Sequence, residues 1–117
     1  MKKIAALVAL GAALFGGAAF AQNSTMQNTF GNTIVVTYAS GAEARYFFNE
    51  DGTFTGVAPG GSQMAGRWTV DGENLCLIPP SGQQACTTVP GGKNVGDTWQ
   101  QTGTDGSDIT VTLQAGR

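Results

Sequence analysis

Histidine is absent from this chain. A serine or cysteine nucleophile usually hands its proton to a histidine or lysine base. Past the first three residues the sole lysine is Lys93, in the turn-like run Gly91-Gly92-Lys93-Asn94, where a solvated surface role is expected. The missing histidine also thins the supply of metal ligands. Charged residues make up only 12% of the sequence, and its six basic residues are scattered. Without a stripe of Lys and Arg, binding to a nucleic-acid backbone or to an anionic membrane surface is not expected. Cysteine is limited to Cys76 and Cys86. Beyond residue 21 no apolar run reaches the length of about 20 residues that a membrane-spanning helix needs.

The first 21 residues have a different character. Lys2 and Lys3 precede an uncharged apolar stretch from Ile4 to Phe15, and Ala19-Phe20-Ala21 supplies a small-x-small cleavage pattern. This is the layout of an export signal, cut between Ala21 and Gln22. Gly11, Gly16 and Gly17 make the stretch a poor permanent anchor. The expected location is the periplasm of a Gram-negative bacterium or the medium outside it, with no membrane insertion after removal of the signal. Residues 22–117 keep four basic residues, Arg45, Arg67, Lys93 and Arg117, against eight acidic ones, a net charge of −4. A chain of this size forms one domain with a thin core. Export carries Cys76 and Cys86 to a compartment where disulfides persist, and a bond between them is expected.

Residues 22–32 are rich in Asn, Gln, Ser and Thr and read as a flexible N-terminal arm. Residues 33–117 form a single β-barrel-like domain in this reading. From Ile34 onward the hydrophobic pattern has period two: Ile34, Val36 and Tyr38 alternate with Val35 and Thr37, and Ile109, Val111 and Leu113 alternate with Thr110 and Thr112. Similar runs lie at 43–49, 53–57, 64–70, 74–78, 85–89 and 98–102. Asp51-Gly52, Asp71-Gly72 and Asp105-Gly106 supply the positive backbone angle of tight hairpins, and with Asp71-Gly72 as a two-residue loop Trp68 would face Leu75. The sequence therefore predicts an all-β fold of about eight short antiparallel strands. They form an up-and-down meander that closes, fully or partly, into a small barrel. The interior is expected to be filled by side chains. Cys76 and Cys86 lie symmetrically about Ser81, so a hairpin centred there would bring them face to face.

No motif assigns a reaction. The acids mostly sit beside glycine in turns, where Asp is favoured for backbone reasons. Asn49-Glu50-Asp51-Gly52 and Asp105-Gly106-Ser107-Asp108 lack the spacing and distal Glu of a calcium loop. Gly60-Gly61 and Gly91-Gly92 do not join a strand to a helix as a phosphate loop would. No catalytic group, metal or cofactor is expected. Tyr46-Phe47-Phe48 and Ile34-Val35-Val36 are apolar on both faces of their strands. Either the N-terminal arm covers the second face, or Val35 and Phe47 belong to an exposed partner surface. Trp99, flanked by Thr98 and Gln100, is read as core or as part of the rim of that surface.

Gly31-Asn32-Thr33, the run from Tyr46 to Phe54, Gly66-Arg67-Trp68-Thr69-Val70 and Asn74-Leu75-Cys76 resemble the layout of a group of small exported proteins from alphaproteobacteria. That resemblance implies fold and compartment, and carries no mechanism. Gly66-Arg67-Trp68, Ala85-Cys86, Trp99 and Asp105-Gly106-Ser107 are similar, more distantly, to periplasmic inhibitors of secreted metalloproteases. Those are eight-stranded barrels with one disulfide and an inhibitory N-terminal arm, although their cysteines lie further apart than Cys76 and Cys86. The expectation is a non-catalytic exported β-domain with a binding or structural role. Its partner would be a protein, a cell-envelope component or a small apolar ligand. The alternative is a protease inhibitor acting through residues 22–32.

Overall fold

The computed structural model describes residues 23–117. The expected export signal, and the cut between Ala21 and Gln22, lie outside the described residues. A short helix, α1 (Ser24–Thr29), precedes eight strands: β1 (Thr33–Tyr38), β2 (Glu43–Phe48), β3 (Thr53–Val57), β4 (Gln63–Asp71), β5 (Asn74–Ile78), β6 (Ala85–Thr88), β7 (Thr98–Thr102) and β8 (Asp108–Gln114). All pairings are antiparallel, in the order β6-β5-β4-β3-β2-β1-β8-β7. The result is the expected all-β meander, curled into a nearly closed barrel. Among the described residues it has one unsealed seam, between β6 and β7. Each strand pairs with the next except there, and the ring is carried instead by β1 against β8. None of the described helices is long and apolar enough to cross a membrane.

The turns explain the meander. Gly52 donates to the Asn49 carbonyl and Asn49 donates to Thr53, with Gly52 at φ 91°, so a type I turn is closed by a left-handed glycine. The same pair of bonds recurs at residues 38–42, 58–62 and 103–107. The β4–β5 turn departs from expectation by one residue. Asp71 pairs with Asn74, so Gly72-Glu73 forms the loop, and Val70 rather than Trp68 faces Leu75. Two glycines within strands let the sheet curl. A Cβ on Gly56 would lie 2.5 Å from the Arg45 carbonyl oxygen, and one on Gly66 would lie 2.6 Å from that of Ile78.

Strand alternation sends Ile34, Val36, Phe48, Trp68, Val111 and Leu113 inward. Aromatic rings fill the β2–β4 side. Phe48 packs edge-on against Trp68 at 5.8 Å, and Tyr46, Phe54 and Phe30 complete the cluster. The disulfide lies on the outer face. Cys76 and Cys86 are direct cross-strand partners, with Sγ–Sγ 2.03 Å and Cα–Cα 4.0 Å. It staples β5 to β6, the strand at one lip of the seam, and is compatible with an oxidising, exported compartment. Cys76→Ala should lower the unfolding free energy by about 2.5–3 kcal/mol, as the chain-entropy model gives for so short a loop. Urea melts with and without reductant check this: reductant should shift the parent and leave the variant where it is.

The N-terminal arm requires correction. From Asn23 onward it is not loose: Asn23, Thr25, Met26 and Thr29 are buried. Asn23 caps α1 by accepting from the Met26 N–H, while its own amide donates to the carbonyls of Gly72 and Val89. The loop between β6 and β7 provides the remaining seat. Thr25 donates to the Pro90 carbonyl and accepts from the Lys93 N–H, Ser24 accepts from Gly92, and Asn28 donates to the Lys93 carbonyl. Polar residues that read as a solvated tail are thus spent on the backbone of a distant loop. The inhibitor alternative needs a free extended segment, and residues 24–29 do not supply one.

Candidate functional site

The interior is not filled throughout, which departs from expectation. A cavity of about 140 Å³ lies beside the aromatic cluster, with Phe48 of that cluster on its wall. Its floor is α1, through Thr25, Met26 and Thr29; its walls include Ile34, Val36, Leu75, Ile109 and Val111. Exposed Thr104 and Asp105 also line it, so it opens at the end opposite the helix. Half-buried Tyr38, Tyr46, Leu77 and Gln101 ring that mouth. The void has a simple origin. On the β2–β4 side, large rings meet across the barrel. On the β1, β8, β7 and β6 side the inward residues are mostly branched aliphatics, Thr and Gln, which do not reach the centre.

A polar chain closes the seam beside the cavity. The Trp99 indole N–H donates to Gln101 Oε1 at 2.7 Å, and the Gln101 amide donates to Thr87 Oγ1 at 3.4 Å. The Thr87 hydroxyl donates in turn to the Thr102 carbonyl. One β6 side chain therefore replaces a backbone ladder. Lys93 holds its ammonium 5.7 Å from the centre of the Trp99 ring. At the mouth, burial pushes the Tyr46 hydroxyl up to about 12, helped by the neighbouring charge of Tyr38 and a hydrogen bond with it. Tyr46 is therefore a neutral hydrogen-bonding group at any physiological pH. Asp105 behaves oppositely. Bonds from the Ser107 hydroxyl and backbone N–H hold its carboxyl below the usual carboxylate range, so it stays ionised.

The expected partner surface of Val35, Phe47 and Trp99 is not one surface. Trp99 is 8% exposed and points into the cavity. Val35 lies on the outer face of β1 and is also only 8% exposed. Arg45, its β2 partner, bonds Gln114 of β8 at 3.2 Å, so this contact crosses β1 on that face. Phe47 is half-buried, with the Arg117 guanidinium 5.6 Å from its ring centre. Arg117 is itself fastened to Asn32, Asn49 and Phe48. The second apolar face is thus covered by long side chains and the C-terminus, and the N-terminal segment goes to the barrel end.

The acids expected at turns are there: Glu50, Asp51, Glu73 and Asp105 are all exposed at hairpin tips. Among the described residues, no three His, Cys, Asp or Glu side chains converge as a metal site would require. The residues that sequence reasoning missed are those of α1. Their signal was legible: Asn23 is a preferred N-cap, and Met26 and Phe30 are one helical turn apart.

Fold and cavity together define a small up-and-down β-barrel with a helix across one end and an apolar chamber open at the other. The chain matches no family model, no curated protein and no solved structure.

Proposed function

We propose that this protein is an exported, non-catalytic binding module that holds a small, largely apolar molecule inside its barrel, in the periplasm or the medium outside the cell. The cavity carries this reading. Its volume of about 140 Å³ is close to that of an engineered apolar cavity of about 150 Å³ that takes up benzene. Apolar walls with a few polar groups are the usual composition of a small-molecule site. Hydroxyl, amide and indole groups line this one, a set suited to orienting a guest. A cell-envelope component or a metabolite crossing the envelope would be the natural source of such a guest.

Toluene is the direct probe. Titration should give a saturable shift of the Trp99 indole N–H resonance, because Trp99 lines the cavity. The Trp68 signal should stay in place, as its ring sits in the aromatic cluster. Val36→Phe places a ring in the same space. It should weaken toluene binding at least about tenfold while raising stability by about 0.5–2 kcal/mol, the usual gain from filling a cavity. A Trp99 signal that ignores toluene up to its solubility limit would rule the reading out.

A further inference from the structure

We infer that the cavity is selective by charge, admitting amphiphiles whose polar end is neutral or cationic and turning away carboxylates and phosphates. This rests on the small-molecule reading above and narrows its ligand class.

The volume limits the buried part of a guest to about one six-membered ring. Its polar end must then sit at the mouth, where the hydroxyls of Tyr38 and Tyr46 and the Gln101 amide are found. These groups donate or accept, so they can pair with an alcohol, an amide or an amine. The mouth holds no counterpart for an anion. Four loops surround it, residues 39–42, 58–62, 79–84 and 103–107, and none contains Lys or Arg. Asp105 lines the opening, and exposed Asp108 begins β8 beside it. Both are negative.

The cations are elsewhere. Arg67 lies mid-β4 on the outer face, between Thr53 and Ile78, with its charge near Asp51 of the β2–β3 turn. Lys93 lies under the seam, in the loop that seats α1, with its ammonium 5.7 Å from the Trp99 ring, at the helix end and not at the mouth. Arg117 is held at the start of β1 and the end of β2. Arg45 lies on the outer face, where it bonds Gln114 and stands 3.8 Å from Glu43. An entering carboxylate would lose water, meet no positive partner and approach an ionised Asp105. Each of these raises its free energy relative to a neutral head of the same size. An ammonium meets the reverse situation, with two tyrosine rings and a carboxylate at the opening.

Benzyl alcohol, benzylamine and benzoate share one ring and differ in the charge of the head, so they separate the contributions. Each is titrated at pH 7 with the Trp99 indole N–H as reporter and Trp68 as internal control. The alcohol and the amine should bind, and benzoate should bind at least about tenfold more weakly. Asp105→Lys should invert the order of amine and acid, each read as its ratio to the alcohol measured on the same variant. Position 105 is exposed at a turn tip, and circular dichroism of the variant checks that the fold is kept. Benzoate binding as tightly as benzyl alcohol, with no response to Asp105→Lys, would overturn the charge selection while the small-molecule reading stood. Failure of toluene and all three probes to move Trp99 would remove both.

Discussion

Asn23→Ala should cost about 3 kcal/mol of unfolding free energy, a large share of the 5–15 kcal/mol that holds a small domain together. The side chain is fully buried and has three partners. Loss of a helix N-cap accounts for about 1 kcal/mol. The rest comes from depriving buried carbonyls of their donor: the Val89 oxygen would be left facing protein with no partner, at about 1–3 kcal/mol. Gly72 loses the same donor. The effect should also be local. Hydrogen exchange at residues 24–30 should accelerate more than in β2–β4, because α1 is seated by the 90–94 loop and not by a sheet ladder. The floor of the cavity is α1, so toluene affinity should fall with it. A midpoint in urea within the error of the parent would show that Asn23 is a passenger.

Trp68→Ala should cost about 3–5 kcal/mol, the range for deleting a large buried ring. Trp68 is 2% exposed, lies at 5.8 Å from Phe48 and 5.9 Å from Phe30, and donates its indole N–H to the Asn49 carbonyl at 2.9 Å. Asn49 begins the β2–β3 turn, so this bond ties ring packing to a hairpin corner. Trp68→Phe keeps most of the ring and loses the bond, and should cost about 1–2 kcal/mol. The two variants together separate packing from hydrogen bonding. Trp68 stands apart from the cavity lining, so the phenylalanine variant should bind toluene as the parent does. If it does not, the effect travels through Phe48, which packs on Trp68 and lines the chamber.

Much of the fold was legible because its determinants are local. Alternation at Ile34–Tyr38 and Ile109–Leu113 follows from the pleat, which points successive side chains to opposite faces. Asp51-Gly52 and Asp105-Gly106 mark corners because glycine enters the left-handed region without strain. The Cys76–Cys86 pairing followed from symmetry about Ser81. The one-residue shift at Gly72-Glu73 was not legible, since Asp-Gly fits either of two adjacent turn positions. Neither was α1. Its residues bury polar side chains against the carbonyls of Val89 and Pro90, some 65 positions away, and no local pattern announces so remote a partner.

The candidate site was the least visible part. Val35 and Phe47 share a two-sided apolar context in the sequence and Trp99 stands between polar neighbours, yet Arg45, Gln114 and Arg117 cover the first two and strand alternation takes the third inside. The cavity itself is a difference between two large volumes, that of the barrel and that of the side chains within it. The residue list sets the second; how the strands close sets the first. Period two and the glycine punctuation by themselves determined strand number and most corner positions, and the placing of the two cysteines about Ser81 determined the sulfur staple. Tertiary structure alone decided that β8 returns to β1, that β6 and β7 stay apart, and that a chamber remains between them. Closure joins residues distant in the chain, and its energy depends on contacts that do not exist until the ring has formed.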